Sequence, residues 1–491
     1  MLYLIYIEGM MKVEGMTAAE IAEAVHGKLL AGNPETVIKH ICIDSREAGE
    51  GSLFVPIIGE KVDAHKFIAQ VLDQGAAGVF MSHGDVAEPD KVHIQVKDTV
   101  KALGDLGAWY RRKFTIPIVG ITGSVGKTST KEMISAALET GFRIMKTAGN
   151  QNSQIGVPLT LFRLEKGQEL AVVEMGISEF GEMENLVRFA EPDVAVVTNI
   201  GEAHIAQFGR KENTLKEKLK IAMNFTEKQR VFLNGDDPLL RKAATELHCP
   251  VTLSKVVPEK GRRRILYGTG ENCDYRAENI RIEDGKNCFT LIYPEGREEV
   301  VIQQLGLHNV LNALVAIAVA RHFGIEPSVS REGLRAYEGI PMRQQINHLS
   351  RGIKVIDDTY NASPASVKSG VDVLMQLDNP GRKIAVLGDI LELGDISRQC
   401  HYDTGTAIAG EKLQIVVTVG QEMKALAKAI IDAGAGIAVC SFDTNREAVD
   451  WLLANVSDGD AILVKGSRGM HEEEVVKALR ETFASAGHTA C

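Results

Sequence analysis

The chain has 491 residues, 45% of them apolar and 24% charged, with a formal net charge of −10. That length calls for about three domains, the apolar share suffices for several cores, and the acidic balance argues against a nucleic-acid groove as the main surface. Seven scattered cysteines without a C-x-x-C pair read as reduced thiols, which argues against a disulfide frame or a cysteine zinc site.

The opening MLYLIYIEGM is too short to span a bilayer and lacks the basic flank and cleavage site of a signal peptide. It reads as an edge strand or a ragged start, and the protein as cytoplasmic, without membrane association. Thr17 and Glu20 form a capping-box pair that predicts a helix through about Val25. Apolar runs at 52–58 and 92–96 predict strands, and 98–112 predicts a helix before the KFTIP linker. From 116 onward the runs IPIVGIT, LAVVEM, DVAVVTN and RVFLN are continuous and apolar, as strands buried on both faces are. Helical spacers between them predict a mostly parallel sheet.

Residues 264–304 carry short alternating runs with D-G and E-G turns and predict an antiparallel appendage. LHNVLNALVAIAVARHFG predicts a buried helix ending at Gly324. IKVIDD, KIAVLGD, LQIVVTVG, GIAVCSF and DAILVKG then predict a second doubly wound sheet, Rossmann-like but without G-x-G-x-x-G. The fold class is α/β in three domains, divided as 1–114, 115–328 and 329–491: a small α/β domain, a central P-loop-type domain and a C-terminal Rossmann-like domain.

Function enters at GITGSVGKTST, residues 120–130, between a predicted strand and a predicted helix. Gly123, Ser124 and Gly126 let backbone N–H groups close on phosphate oxygens, and the helix starting near Lys127, Thr128 and Ser129 presents its positive end there. Lys127 reaches the terminal phosphates and the Thr128 hydroxyl ligates Mg²⁺, so ATP is the predicted nucleotide. The loop is a variant, because Ile121 stands where the strict G-x-x-x-x-G-K-[ST] spacing needs glycine. Glu174 ends one predicted strand and His204 follows another, so both aim at the same strand ends. With Thr128 they make a shell for one or two Mg²⁺ ions, His204 being the weaker member because imidazole is unusual for magnesium. Asn150 and Asn152, in AGNQNSQIG, can orient a phosphate or an acyl group through their amides.

Taken together, GITGSVGKTSTKEMI, TAGNQNSQIGVPLTL, VVEMGIS, VVTNIGEAHI, LGLHNVLNAL, IDDTYNASPASV, AVLGDILELG and LVKGSRGMHEEEVV resemble, in order and spacing, the Mur ligases. The resemblance spans all three blocks, and DDTYNASP and LGDILELG are most similar to the branch that adds a dipeptide. It implies an ATP-dependent ligase of peptidoglycan precursor synthesis, and with no seam of apolar heptads or exposed edge in the sequence a monomer is the expected state. The first domain would hold the uridine nucleotide, the second ATP, and the third would close over both. The implied substrates are UDP-N-acetylmuramoyl-tripeptide, whose terminal carboxylate is activated as an acyl phosphate, and D-alanyl-D-alanine, whose amine attacks it. A sibling amide ligase and a nucleotide-gated NTPase are the alternatives.

Further residues follow from the resemblance. Ser45 and Arg46 in IDSREAGEGSLFVPIIGE match the uridine-side motif. His308 and Asn309 match a nucleotide-contacting pair, and Arg343 an arginine near the linker to the third domain. Asp358 matches the acid that meets ATP on closure, and Asn361 on the same loop faces the reacting groups. Lys465, Ser467 and Arg468 are expected near substrate. The family also carries a carbamylated lysine whose carboxylate binds a second Mg²⁺; Lys216, Lys218 and Lys220 compete for this role, and spacing favours Lys218. Ser153, Ile390, Met342 and Lys220 depart from the family's usual residues, and none of them removes a charge that the chemistry needs.

Overall fold

The computed structural model describes residues 10–201, 205–245 and 264–484. Among these, three sheets succeed one another along the chain. The first has six strands, in spatial order Met10–Thr17, Val37–Cys42, Ser52–Phe54, Gly78–Met81, Val92–Gln95 and Lys28–Ala31. Its four inner strands are parallel and both edge strands antiparallel. The run at 52–58 forms a strand only over Ser52–Phe54, because Pro56 has no N–H for the ladder. The capping box is formed as expected: the Glu20 N–H donates to Thr17 Oγ1 at 3.2 Å, and the Thr17 N–H donates to Glu20 Oε2 at 2.8 Å.

The second sheet holds nine strands: Gly296–Ile302, Lys286–Tyr293, Tyr275–Glu283, Arg264–Gly268, Arg230–Asn234, Val194–Val197, Ile118–Thr122, Leu170–Glu174 and Ile144–Lys146. Residues 264–304 are therefore not a separate appendage. Arg264–Gly268 pairs in parallel with Arg230–Asn234, Tyr275–Glu283 continues that direction, and only the last two strands turn antiparallel. Side chains alternate across this sheet: Ile118, Ala171, Val173 and Ala195 enter one core, and Val119, Leu170, Val172 and Val194 the other. A strand buried on both faces must be apolar at every position, which explains the unbroken runs.

The first of those cores does not stop at the second sheet. It runs without a break through helix Thr99–Arg111 into the first sheet, so Ile41, Phe80 and Leu103 belong with Ile118 and Val173. The third sheet orders Gln345–His348, Lys354–Asp357, Ala461–Lys465, Lys383–Gly388, Ile415–Val419 and Ala438–Phe442, the first antiparallel and the rest parallel. Its two cores are its own, apart from Leu305. No helix among the described residues is long and apolar enough to cross a membrane.

Candidate active site

Parallel pairing sets Ile121 beside Glu174 and Thr122 beside Val197, so the segments after three strands emerge at one edge of the central sheet. The glycine-rich loop is stapled to its neighbour there. The Val125 N–H donates to Asn199 Oδ1 at 2.9 Å, and the Val125 carbonyl accepts from Thr198 Oγ1 at 2.7 Å and Asn199 Nδ2 at 2.8 Å. Gly123 passes so close that a Cβ would lie 1.9 Å from Thr198 Oγ1. Gly126, at φ 84°, opens helix Lys127–Leu138 without a side-chain cap, so the helix's first N–H groups face the loop's concavity.

Lys127 is folded back, with Nζ donating to the Gly123 carbonyl at 2.9 Å. Burial pulls its pKa down; the Glu174 carboxylate opposes that shift and the Arg343 charge adds to it. Glu174 is 1% exposed. Its Oε1 accepts from Asn152 Nδ2 at 2.7 Å, and Oε2 has no hydrogen-bond partner among the described residues. A buried carboxylate oxygen left in that state is costly, and a hard cation bound there would satisfy it. Lys218, on helix Lys211–Leu219, is 1% exposed. Burial and the Lys127 charge push its pKa well down, against the pull of Glu182. Its rivals differ from it: Lys216 is exposed, and Lys220 is bound to Glu217 at 2.6 Å and Glu184 at 2.5 Å.

The third sheet supplies a second polar cluster at its own strand ends. Lys465 Nζ lies 2.7 Å from Asp358 Oδ2 and donates to the Asn361 carbonyl at 3.0 Å. Ser467 Oγ accepts from the Leu391 N–H at 2.9 Å, and Arg468 pairs with Glu473 at 3.1 Å. Arg343 joins the two clusters. Its Nη2 donates to Thr128 Oγ1 at 3.0 Å, and its guanidinium lies 4.0 Å from the centre of the Tyr360 ring. The backbone around it is strained: Met342 and Gln344 have φ of 62° and 54° without being glycine. Gln344 is held by His308 Nε2 at 2.8 Å, and burial pushes the His308 pKa down. Asn309 donates to the Leu305 carbonyl at 2.8 Å and touches Asn312, which accepts from Thr130 Oγ1 at 2.8 Å.

The structure thus brings together Gly123, Ser124, Gly126, Lys127, Thr128, Asn152, Glu174, Lys218 and Arg343, and separately Asp358, Asn361 and Lys465. Asn150 is exposed and shares none of the Asn152–Glu174 bond. Ser45 and Arg46 lie beside the first sheet, with Arg46 paired to Asp44 and its side chain 85% exposed. His204 lies outside the described residues. Sequence reasoning missed Thr198 and Asn199, which hold the loop, and Glu182, which faces Lys218 while accepting from the Ser178 N–H at 2.6 Å. The signal for Glu182 was present in its place one residue after Gly181, at the start of helix Glu182–Ala190.

Residues 37–111 match the model of the Mur ligase family catalytic domain, 121–320 the Mur ligase middle domain, and 342–468 the Mur ligase glutamate ligase domain. A Bacillus subtilis protein named UDP-N-acetylmuramoyl-tripeptide–D-alanyl-D-alanine ligase is 37% identical over 472 residues, 95% of this chain and 98% of that one. A crystal structure of MurF from Acinetobacter baumannii superposes with a TM-score of 0.86 at 31% identity, covering 96% and 100% of the two chains. The MurF ligase of Thermotoga maritima, solved in complex with ADP, gives 0.78 at 27% identity, covering 90% and 97%. With three domain models matched in order and relatives aligned along nearly their whole length, the chain belongs to the Mur ligase family.

Proposed function

We propose that the chain is an ATP-dependent ligase that joins D-alanyl-D-alanine to the terminal carboxylate of UDP-N-acetylmuramoyl-tripeptide, releasing ADP and phosphate, in peptidoglycan precursor synthesis. The observation that carries this reading is the convergence of Lys127, Thr128, Glu174 and Lys218 on one sheet edge, tied through Arg343 to a loop of the third sheet. The names of the relatives support the choice of substrates.

The γ-phosphoryl group passes to the substrate carboxylate, giving an acyl phosphate. The dipeptide's neutral amine attacks the carbonyl carbon, loses a proton, and the tetrahedral adduct expels phosphate. Each approach brings anions together, so the site's task is charge neutralisation and alignment. In this reading Gly123, Ser124, Gly126 and Ser129 cradle the phosphates, and Lys127 leaves the Gly123 carbonyl to hold the terminal ones. Arg343 releases Thr128 and turns to the nucleotide. Asn309 lies beside the nucleotide, and Asp358 and Asn361 meet it on closure of the third domain. Asn150, Asn152, Lys465 and Arg468 orient the reacting carboxylate and amine, and Ser45 and Arg46 bind the uridine nucleotide.

Mg²⁺ fits the Thr128 hydroxyl and the Glu174 oxygen that has no partner among the described residues; these, with His204 and a carbamate on Lys218, would hold it. When bound, it supplies positive charge between phosphate and carboxylate. The depressed pKa of Lys218 suits this role, since only a neutral amine adds to the carbon of CO₂, losing a proton to leave the carbamate anion. Cytoplasmic location, a monomeric state and the division at 114/115 and 328/329 belong to the same proposal.

The test is phosphate release with ATP and Mg²⁺, supplying the UDP-muramoyl tripeptide with and without D-alanyl-D-alanine while following product mass. Release that needs both substrates, with one dipeptide added, is expected. Release without the dipeptide and without new product would move the reading to an NTPase, and acceptance of a single amino acid instead would move it to a sibling ligase.

A further inference from the structure

Helix Lys127–Leu138 carries a second lysine, Lys131, one turn beyond the lysine of the phosphate loop and therefore on the same face. It is 1% exposed, and no step of the proposed reaction uses it. Burying an ammonium is costly unless the charge is paired and hydrogen-bonded, and a methionine would fill much the same volume without that cost. What the charge holds in place is therefore informative.

Lys131 Nζ donates to the Thr147 carbonyl at 2.6 Å and pairs with Glu132 Oε1 at 2.9 Å. The other Glu132 oxygen takes Lys146 Nζ at 2.7 Å, at the end of strand Ile144–Lys146. Thr147 follows that strand and is 1% exposed, and its hydroxyl accepts from the Glu174 N–H at 3.0 Å. Five residues on, Asn152 donates to Glu174 Oε1 at 2.7 Å, and its carbonyl accepts from the Gly176 N–H at 2.8 Å. A Cβ on Gly176 would lie 2.9 Å from the Asn152 amide, so the two segments meet without slack. Residues 147–152 thus grip Glu174 by backbone and by side chain, and Lys131 is the helix's hold on the root of that grip.

We infer that Lys131 is a positioning residue for Mg²⁺, fixing the Glu174 carboxylate relative to the phosphate-binding helix, an inference that rests on the proposed binding of the ion at Thr128 and Glu174. Those two ligands sit on different elements, the first turn of the helix and the end of strand Leu170–Glu174. A small ion that demands near-ideal octahedral geometry tolerates little drift between them. Lys131 closes the gap in two links: its ammonium holds Thr147, and Thr147 holds Glu174. The phosphate loop does not depend on this hold, because Thr198 and Asn199 fasten it from the strand on the other side. Loss of Lys131 should therefore weaken the ion and spare the phosphates.

The experiment is calorimetric titration of the full chain with ADP, once in excess Mg²⁺ and once in EDTA. The parent should bind ADP more tightly with Mg²⁺. Lys131→Met should keep its affinity in EDTA within about twofold and lose about tenfold of the gain from Mg²⁺, the usual scale for a group that orients a metal ligand. Thr147→Val, which deletes the hydroxyl on the Glu174 N–H, should lose the gain in the same way, and Thr147→Ser, which keeps that hydroxyl, should retain it. The half-saturating Mg²⁺ concentration for ligation should rise in the first two variants and not in the third. Should Lys131→Met not fold, the Thr147 pair decides. A Mg²⁺ gain unchanged in Lys131→Met and Thr147→Val, or affinity lost equally in both buffers, would overturn the inference and leave Lys131 a structural ion pair, with the Mg²⁺ reading intact. A parent with no gain from Mg²⁺ would overturn that reading and the inference with it.

Discussion

Lys127, half-buried, and Lys218, fully buried, both have depressed pKa values, and they are expected to fail differently when removed. Lys127→Ala deletes a cation that only phosphate charge can use, so ligation should fall by at least about 10²–10³-fold with the fold intact, measured as turnover alongside circular dichroism. Nothing added to the buffer should restore it. Lys218→Ala deletes a scaffold for a carboxylate, so short carboxylic acids diffusing into the gap should recover part of the activity. Wild-type turnover in the unrescued variant would sink the carbamate. Glu472 offers a pH prediction. It is fully buried, neither carboxyl oxygen has a partner among the described residues, and burial with the nearby Asp389, Glu473 and Glu474 charges pushes its pKa up to about 8. The unfolded chain ionises this group near pH 4.3 and the folded chain only near 8, so between those values the folded state holds the extra proton. Stability should therefore be greatest at the acid end of that window and decline as pH rises through it, at up to about 1.4 kcal/mol per pH unit, levelling above pH 8. Glu472→Gln should flatten that decline in urea titrations at pH 5, 6.5 and 8.

At the scale of the element, the glycine-rich loop stands or falls with the strand beside it. A methyl group at position 123 would collide with Thr198 Oγ1, the hydroxyl that holds the Val125 carbonyl. Gly123→Ala should cost about 1–3 kcal/mol of stability and weaken ADP binding well beyond that, read by calorimetric titration. The elements themselves were largely legible. Ile118 and Val119 face opposite cores, which is why the run around them carries no polar residue, and the capping box at Thr17 and Glu20 was formed as drawn. What the sequence concealed was long-range pairing. Local alternation at 264–304 looks the same whether the hairpin stands apart or extends a sheet, and only the parallel register of Arg264–Gly268 on Arg230–Asn234 decides it. Likewise Asp358 and Lys465 were each visible as a polar residue at a strand end. Their 2.7 Å pairing across more than a hundred residues follows from the parallel contact of Lys354–Asp357 with Ala461–Lys465.

At the scale of the whole molecule, Arg343, beside the His308–Gln344 bond, ties the central sheet to the third at the candidate site. Arg343→Ala should lower turnover by more than tenfold while leaving both regions folded, and small-angle scattering should show a broader distribution of shapes as that tie is lost. The three sheets are not equally independent, however. The core that begins beneath the first sheet continues past helix Thr99–Arg111 to the central strands, whereas the third sheet borrows only Leu305 from outside itself. Cutting the chain therefore has two different outcomes. Severed between helix Pro327–Ala336 and strand Gln345–His348, the amino-terminal piece keeps Leu334 and the rest of its core and the carboxy-terminal piece lacks only Leu305 from its two, so each is expected to be made as a stable fragment. Severed near 114, both pieces present a sheared oily face to water and are expected to aggregate unless expressed together. By the measure of what can be separated, a chain of three sheets is a protein of two parts.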